Sequence, residues 1–299
     1  MGKTEDTVED VKELINEEKL QVIENIRKAV EEGDTFRKVE LHDPVITDED
    51  VKRVILPFEN VRRKPLSRFK AWIARRMAEK MTKQFNGNTE IVGLENALSV
   101  NGGAIMTANH YNPTDSTPPR LVAYAMGKRK RFHIVVQQTN IFMEGLFGFL
   151  MKNCNTMPVS PSPEYMAKNL TPAIKRVLKR GDLVLIYPEQ EMWFNYKKPR
   201  PYRDGAFHFA ASAGVPIIPT FTEMINLEGE RDGDGFLPVK HIIHVLPPIY
   251  PDESLSVREN RINMERAERE SRFKLYEELY GRSVDEPFDP CHDIAGYGR

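Results

Sequence analysis

Asn109-His110-Tyr111-Asn112-Pro113-Thr114-Asp115 is the part of the chain whose residue types and spacing could do chemistry. Histidine accepts a proton near neutral pH, so His110 is a candidate general base. A carboxylate five residues on, Asp115, could hold the far ring nitrogen, fix the tautomer and stabilise the imidazolium. No serine or cysteine sits nearby in a recognisable nucleophile elbow, so the nucleophile is expected to come from the substrate. The plain alternative is a structural histidine, with Asp115 complementing the dipole of a following helix.

A second cluster, Tyr187-Pro188-Glu189, ends the apolar run Leu183–Tyr187. Ligands bind at the carboxyl edge of strands in open α/β sheets, so Pro188 and Glu189 are candidate site residues. Glu189 could accept from a substrate hydroxyl or help orient a base, or it could be a solvated loop glutamate. A basic loop follows, with Lys197, Lys198, Arg200 and Arg203 ahead of Asp204-Gly205-Ala206. Cations before a helix N-terminus make a candidate anion site, because free N–H groups add to their charge. A surface basic patch is the bland reading.

The elements that would position these residues alternate. Expected strands are 89–92, Gly103–Ala108, Phe132–Gln137, Leu183–Tyr187, Pro216–Thr222 and His241–Leu246. Expected helices are Pro118–Met126, Pro163–Lys179, Asp204–Ala213 and Val257–Tyr280. The pattern predicts an α/β fold, an αβα sandwich with a mostly parallel or mixed central sheet, preceded by an N-terminal helical region. The divisions are 1–87 (helical region), 88–255 (the domain carrying the site) and 256–299 (a C-terminal helix and tail packing on it). The apolar segment Ile141–Met151 reads as core or as a greasy lip near the site.

Residues 1 to about 32 read as a charged helix with a thin apolar stripe including Val8, Val11, Leu14, Ile15 and Ile23, and residues 34–63 as a connector. Over about 62–85, Leu66, Phe69, Trp72, Ile73, Met77, Met81 and Phe85 recur at helical spacing among many Lys and Arg, with Glu79 the lone acid. That is the profile of an interfacial helix, which makes Phe69, Trp72, Ile73 and Met77 candidate membrane contacts. Such a face could equally pack on the protein's own core. The arginines of 257–280 lie among glutamates and read as a solvated capping helix.

Composition bounds the rest. The 299 residues carry a formal net charge of −1, which offers no global field for nucleic acid. Two cysteines, Cys154 and Cys291, suggest a reducing compartment rather than a disulfide scaffold. The acidic start lacks an apolar signal, and no run approaches the roughly 18 apolar residues that span a bilayer. His208, His241 and His244 lack metal-ligand spacing, so no metal is expected. A cytoplasmic protein, peripheral on the inner face of a membrane, is the expectation.

Taken together, these blocks resemble the glycerolipid acyltransferases typified by lysophosphatidic acid acyltransferase. Asn109, His110 and Asp115 match the family's Asn-His-x4-Asp motif, and Tyr187-Pro188-Glu189 matches the first half of Phe-Pro-Glu-Gly-Thr-Arg. Tyr202-Arg203-Asp204-Gly205-Ala206 is similar to a Phe-Lys-x-Gly-Ala element, and Val215–Pro219 to a Val-Pro-Ile-x-Pro motif. The resemblance covers about residues 88–250. It implies transfer of a fatty acyl group from acyl-CoA or acyl carrier protein, as co-substrate, to a hydroxyl of a lysophospholipid or related lipid, within phospholipid biosynthesis. His110 would be the base, without cofactor or acyl-enzyme. Catalysis would fall to His110, Asp115 and Glu189, and substrate contacts to Asn109, Pro188, Lys197, Lys198, Arg200, Arg203 and Gly205. Two departures stand out. The region 156–161 has no arginine where family members place a phosphate contact, and Gln190-Glu191-Met192 replaces Gly-Thr-Arg. They leave room for a non-phosphate acceptor, an acyltransferase-like lipid binder without turnover, or a hydrolase using water.

Overall fold

A computed structural model describes residues 16–41, 44–127 and 131–298 of the chain. The expected stripe at Val8, Val11, Leu14 and Ile15 lies outside them. The helices used below are α1 Glu17–Glu31, α2 Pro65–Phe85, α3 Thr117–Ala125, α4 Gly145–Asn153, α5 Thr171–Lys179, α6 Gly205–Ala213 and α7 Val257–Tyr280. The strands are β1 Glu90–Val92, β2 Ala104–Thr107, β3 Phe132–Gln137, β4 Thr156–Val159, β5 Leu183–Ile186, β6 Ile217–Asn226 and β7 Val239–Val245.

The strands form one seven-stranded sheet in the order β1-β7-β6-β2-β5-β3-β4. Neighbours run parallel except β6 and β7, which pair antiparallel from Thr220–Val245 to Asn226–Val239. The fold is therefore α/β with a mostly parallel sheet and N-terminal helices, as the alternation predicts. Strands β2 and β5 are buried at every residue, consistent with their unbroken apolar runs. Gly103 brings β2 against α5: a Cβ there would lie 2.1 Å from the Leu178 carbonyl oxygen.

Two elements differ from the expectation. Strand β4 was not foreseen; its four residues include Pro158, which is tolerated because β4 is an edge strand. Strand β6 runs to Asn226 rather than Thr222, because β7 continues to pair with it there.

The helical additions also depart from the simple reading. The segment 34–63 contains short helical turns at Asp48–Asp50, Val51–Ile55 and Phe58–Arg62. Helix α1 buries Val22, Ile23, Ile26 and Ala29 in a second cluster with Trp193, Tyr196 and Ile294, so α1 and the segment around Ile294 brace the 193–196 loop. Helix α7 is held by a capping box between Ser256 and Glu259 and stops at Gly281, φ 64°. It is not merely a solvated cap. Arg272 and Glu268 are fully buried and joined at 2.7 Å.

Candidate active site

Strand β2 is central, flanked by β5 and β6, and its carboxyl end delivers Asn109 and His110. Asn109 is buried and locked to β6: its Nδ2 donates to the Thr222 carbonyl at 3.0 Å and its Oδ1 accepts from Thr222 N at 2.8 Å. The side chain expected to contact substrate is thus a pin between neighbouring strands. The pin fixes where the next residue emerges.

His110 and Asp115 meet. His110 Nδ1 lies 2.6 Å from Asp115 Oδ2. An ionised carboxylate can only accept, so Nδ1 carries the hydrogen, which in the neutral ring leaves the lone pair on Nε2. Nε2 has no hydrogen-bond partner among the described residues, and the side chain is 22% exposed against 4% for that of Asp115. The same Asp115 oxygen accepts from Tyr111 N at 2.9 Å, and its Oδ1 accepts from the Tyr187 hydroxyl at 2.6 Å. Asp115 is therefore held from several directions and in turn holds the imidazole.

Tyr187 is the site residue that motif reading passed over. Its ring stacks on His110 with centroids 4.1 Å apart. Burial, reinforced by the Asp115 charge, pushes its phenol well above the usual tyrosine range, so it stays a donor. The signal was present: a tyrosine stands where the family motif has phenylalanine, and only the tyrosine can donate.

Glu189 sits beneath the turn, 2% exposed. One oxygen accepts from His110 N at 3.4 Å and the other from Arg200 N at 3.3 Å, while Arg200 Nη2 lies 3.2 Å away. Its carboxylate is tied to backbone and guanidinium, which makes it a positioning group rather than a second reacting carboxylate. Pro188 is buried, and its carbonyl accepts from Arg203 N at 2.8 Å. The following Gln190 has φ 65°, a left-handed value that favours the glycine of the family motif. Glu191 accepts from Gln137 Nε2 at 2.7 Å.

The basic loop is corrected most. Arg200, 2% exposed, is neutralised by Glu189 and also donates to the carbonyls of Glu191 and Thr35. Lys198, 5% exposed, bonds the Glu286 carbonyl at 2.7 Å and Asp293 at 3.2 Å. Both cations anchor chain segments rather than present charge. Lys197 lies over the Tyr280 ring at 5.3 Å, and burial lowers its pKa. Arg203 is exposed and covers Phe36 at 3.9 Å, while Gly205, also exposed, opens α6. Burial raises the carboxyl pKa of Glu40, from the 34–63 segment, against the pull of Lys19, the Phe194 amide and His110.

Helix α2 buries Ala74, Ala78 and Thr82 and packs on α3 and α4, with Met77 against Leu150 and Cys154. Met77 therefore belongs to an internal contact, and Ile73 is half-buried. Leu66, Phe69 and Trp72 are more than half exposed, at 65%, 58% and 51%. The 141–151 segment is both of its alternatives: Leu150 of α4 is core, while Leu146 and Phe147 face outward. No helix among the described residues is long and apolar enough to cross a membrane.

A histidine at the end of the central strand, held by a buried carboxylate at the parallel strands' carboxyl edge, fits the class the motifs indicate. Residues 88–223 match the family model described as Acyltransferase. Over 201 residues it is 27% identical to the chloroplastic 1-acyl-sn-glycerol-3-phosphate acyltransferase BAT2 of Brassica napus, covering 66% of this chain. The match spans about half of that curated relative, 54% of its length. A solved structure, the 1-acyl-sn-glycerophosphate (LPA) acyltransferase PlsC of Thermotoga maritima, is similar with a TM-score of 0.48 and 19% identity, over 76% of this chain and 88% of that one.

Proposed function

We propose that the protein is an O-acyltransferase that moves a fatty acyl group from an acyl thioester to the hydroxyl of a glycerolipid acceptor. The observation that carries this reading is the His110–Asp115 pair at 2.6 Å with Nε2 unengaged and the ring partly exposed. His110 Nε2 takes the proton as the acceptor oxygen attacks the thioester carbonyl. Asp115 stabilises the imidazolium that results. Collapse of the tetrahedral adduct expels the thiolate, which takes the proton from His110. The products are an ester and a free thiol. The absence of a protein nucleophile beside His110 in the sequence agrees with direct transfer, and acyl-CoA and acyl carrier protein both fit as donors.

The acceptor reaches such a site from a membrane surface. Exposed Phe69 stacks on exposed Trp72, with centroids 6.1 Å apart. Beside them Arg62, Arg68 and Arg75 line a polar cleft of about 430 Å³. Aromatic side chains next to guanidiniums suit an anionic bilayer face. A cytoplasmic protein on the inner leaflet accounts for both.

The test is an acceptor screen with one labelled donor, run with acyl-CoA and with acyl carrier protein. Thioester consumption that depends on a glycerolipid acceptor and yields its ester supports the reading. Thioester cleavage indifferent to acceptor would make the protein a hydrolase. Lipid binding without turnover across the panel would make it a binder.

A further inference from the structure

Arg120 stands in the first turn of α3, five residues past Asp115, and is only 6% exposed. Its surroundings are unlike those of the other buried arginines. Arg200 has Glu189 and Arg272 has Glu268. Arg120 has no carboxylate within ion-pair distance among the described residues. Its guanidinium lies 5.0 Å from the centre of the Phe132 ring. Nη1 reaches only the Cys154 sulfur at 3.7 Å, and Nε has no partner. A desolvated cation without counter-charge is strongly unfavourable, and an anion relieves it.

Arg120 also lines a cavity of about 40 Å³ directly behind the Asn109–Asp115 turn. That is room for about three water molecules, the scale of a phosphoryl group. Thr114, Ser116 and Thr117 line it from the turn and the start of α3, where the helix dipole is positive, and the Thr114 hydroxyl donates to Asn112 Oδ1 at 2.8 Å. Apolar walls from Met81, Phe147 and Met151 complete it, and Phe147 is itself 37% exposed. The lining is mostly apolar, with Arg120, Thr114, Ser116, Thr117 and Thr156 as its polar residues. It is close to the proposed reaction centre: Tyr187, which holds Asp115, is within electrostatic reach of Arg120. Thr156 lines the same cavity and opens the 156–161 stretch that lacks an arginine.

We propose that this cavity is a binding site for a phosphate monoester, held by Arg120. Identifying that phosphate as the acceptor's head group rests on the transfer reading; binding of phosphate does not. The site favours a phosphorylated over a neutral acceptor, with the guanidinium supplied from α3 rather than from β4.

Thermal unfolding of the full chain tests binding first, with inorganic phosphate and glycerol 3-phosphate as probes. Both should raise Tm saturably. Arg120→Met should abolish the shift. Arg120→Lys, which keeps the charge but loses the planar fork, should weaken binding about tenfold or more while remaining folded by circular dichroism. Should Arg120→Met unfold, Arg120→Lys alone decides. In transfer assays, Arg120→Lys should raise KM for lysophosphatidate about tenfold, with kcat near wild type and KM for monoacylglycerol unchanged. No Tm response to either probe, or equal protection of wild type and Arg120→Lys, overturns the proposal. An equal KM rise for both acceptors overturns the head-group assignment and leaves Arg120 a structural role. If no acceptor is acylated yet phosphate still protects through Arg120, the transfer reading fails and the phosphate site stands.

Discussion

The turn Asn109–Asp115 and the loop Lys197–Arg203 both advertise chemistry in the sequence, and the fold treats them oppositely. In the turn, one ring nitrogen of His110 is bound by Asp115 and the other is left unengaged. In the loop, Arg200 and Lys198 are sealed inside and matched by Glu189, Asp293 and main-chain carbonyls. The difference lies in how many partners surround each group. A group able to react has one face satisfied and one open, whereas a group satisfied on every side holds structure. Arg120, a cation buried without an acid, is the exception that prompts the phosphate proposal.

Substitutions should separate the two regions. The largest effect is expected at Asp115→Asn. Loss of the oriented imidazole should lower turnover by about 10³- to 10⁴-fold with the chain still folded, as steady-state rates and circular dichroism would show. A rate within tenfold of wild type would remove Asp115 from the account. Next comes Arg200→Ala, which leaves the buried Glu189 carboxylate with only the longer Arg272 ion pair at 3.9 Å. Its cost should be about 3 to 5 kcal/mol in denaturant unfolding, against under about 0.5 kcal/mol for exposed Arg203→Ala. Equal small losses would show that the loop is a surface patch after all.

Tyr187→Phe sharpens the comparison within the turn. It keeps the ring stacked on His110 and removes the hydroxyl from Asp115, a loss of about 1 kcal/mol or a rate decrease of roughly fivefold. An unchanged rate would assign Tyr187 to packing only.

The smallest effect concerns pH. Burial lowers the pKa of His133 and of His241, opposed by Asp182 and Asp115 respectively. A base whose folded pKa is depressed binds fewer protons in the folded state. Stability is then full above the unfolded value of 6.5 and declines as pH falls below it. Tm should drop between pH 7 and pH 5, and His241→Phe should flatten part of that slope. A Tm that rises on acidification would contradict this.

Local features were legible in the sequence because their causes are local. The β2 run, the His110–Asp115 spacing and the Ser256–Glu259 cap each lie within a few residues. The basic loop misled because its partners are remote in sequence: Lys198 finds Glu286 and Asp293, and Arg200 finds Thr35. Strand β4 was hidden by Pro158, and the burial of Arg272 by the acidic and basic residues around it in α7. Phe69 and Trp72 were expected at the surface and are there, but the small residues Ala74 and Ala78 decide which face of α2 is internal. Motif matching retrieved the residues around His110, while Tyr187 and Arg120 required knowing what each side chain touches.

The central claim is that His110 Nε2 removes the proton from the acceptor hydroxyl. Its most direct test is the transfer rate of His110→Ala beside wild type, with saturating labelled acyl thioester and a glycerolipid acceptor, on protein shown to be folded. The account predicts a fall of about 10³-fold or more, with acceptor binding retained. A variant that transfers within about tenfold of wild type would contradict it.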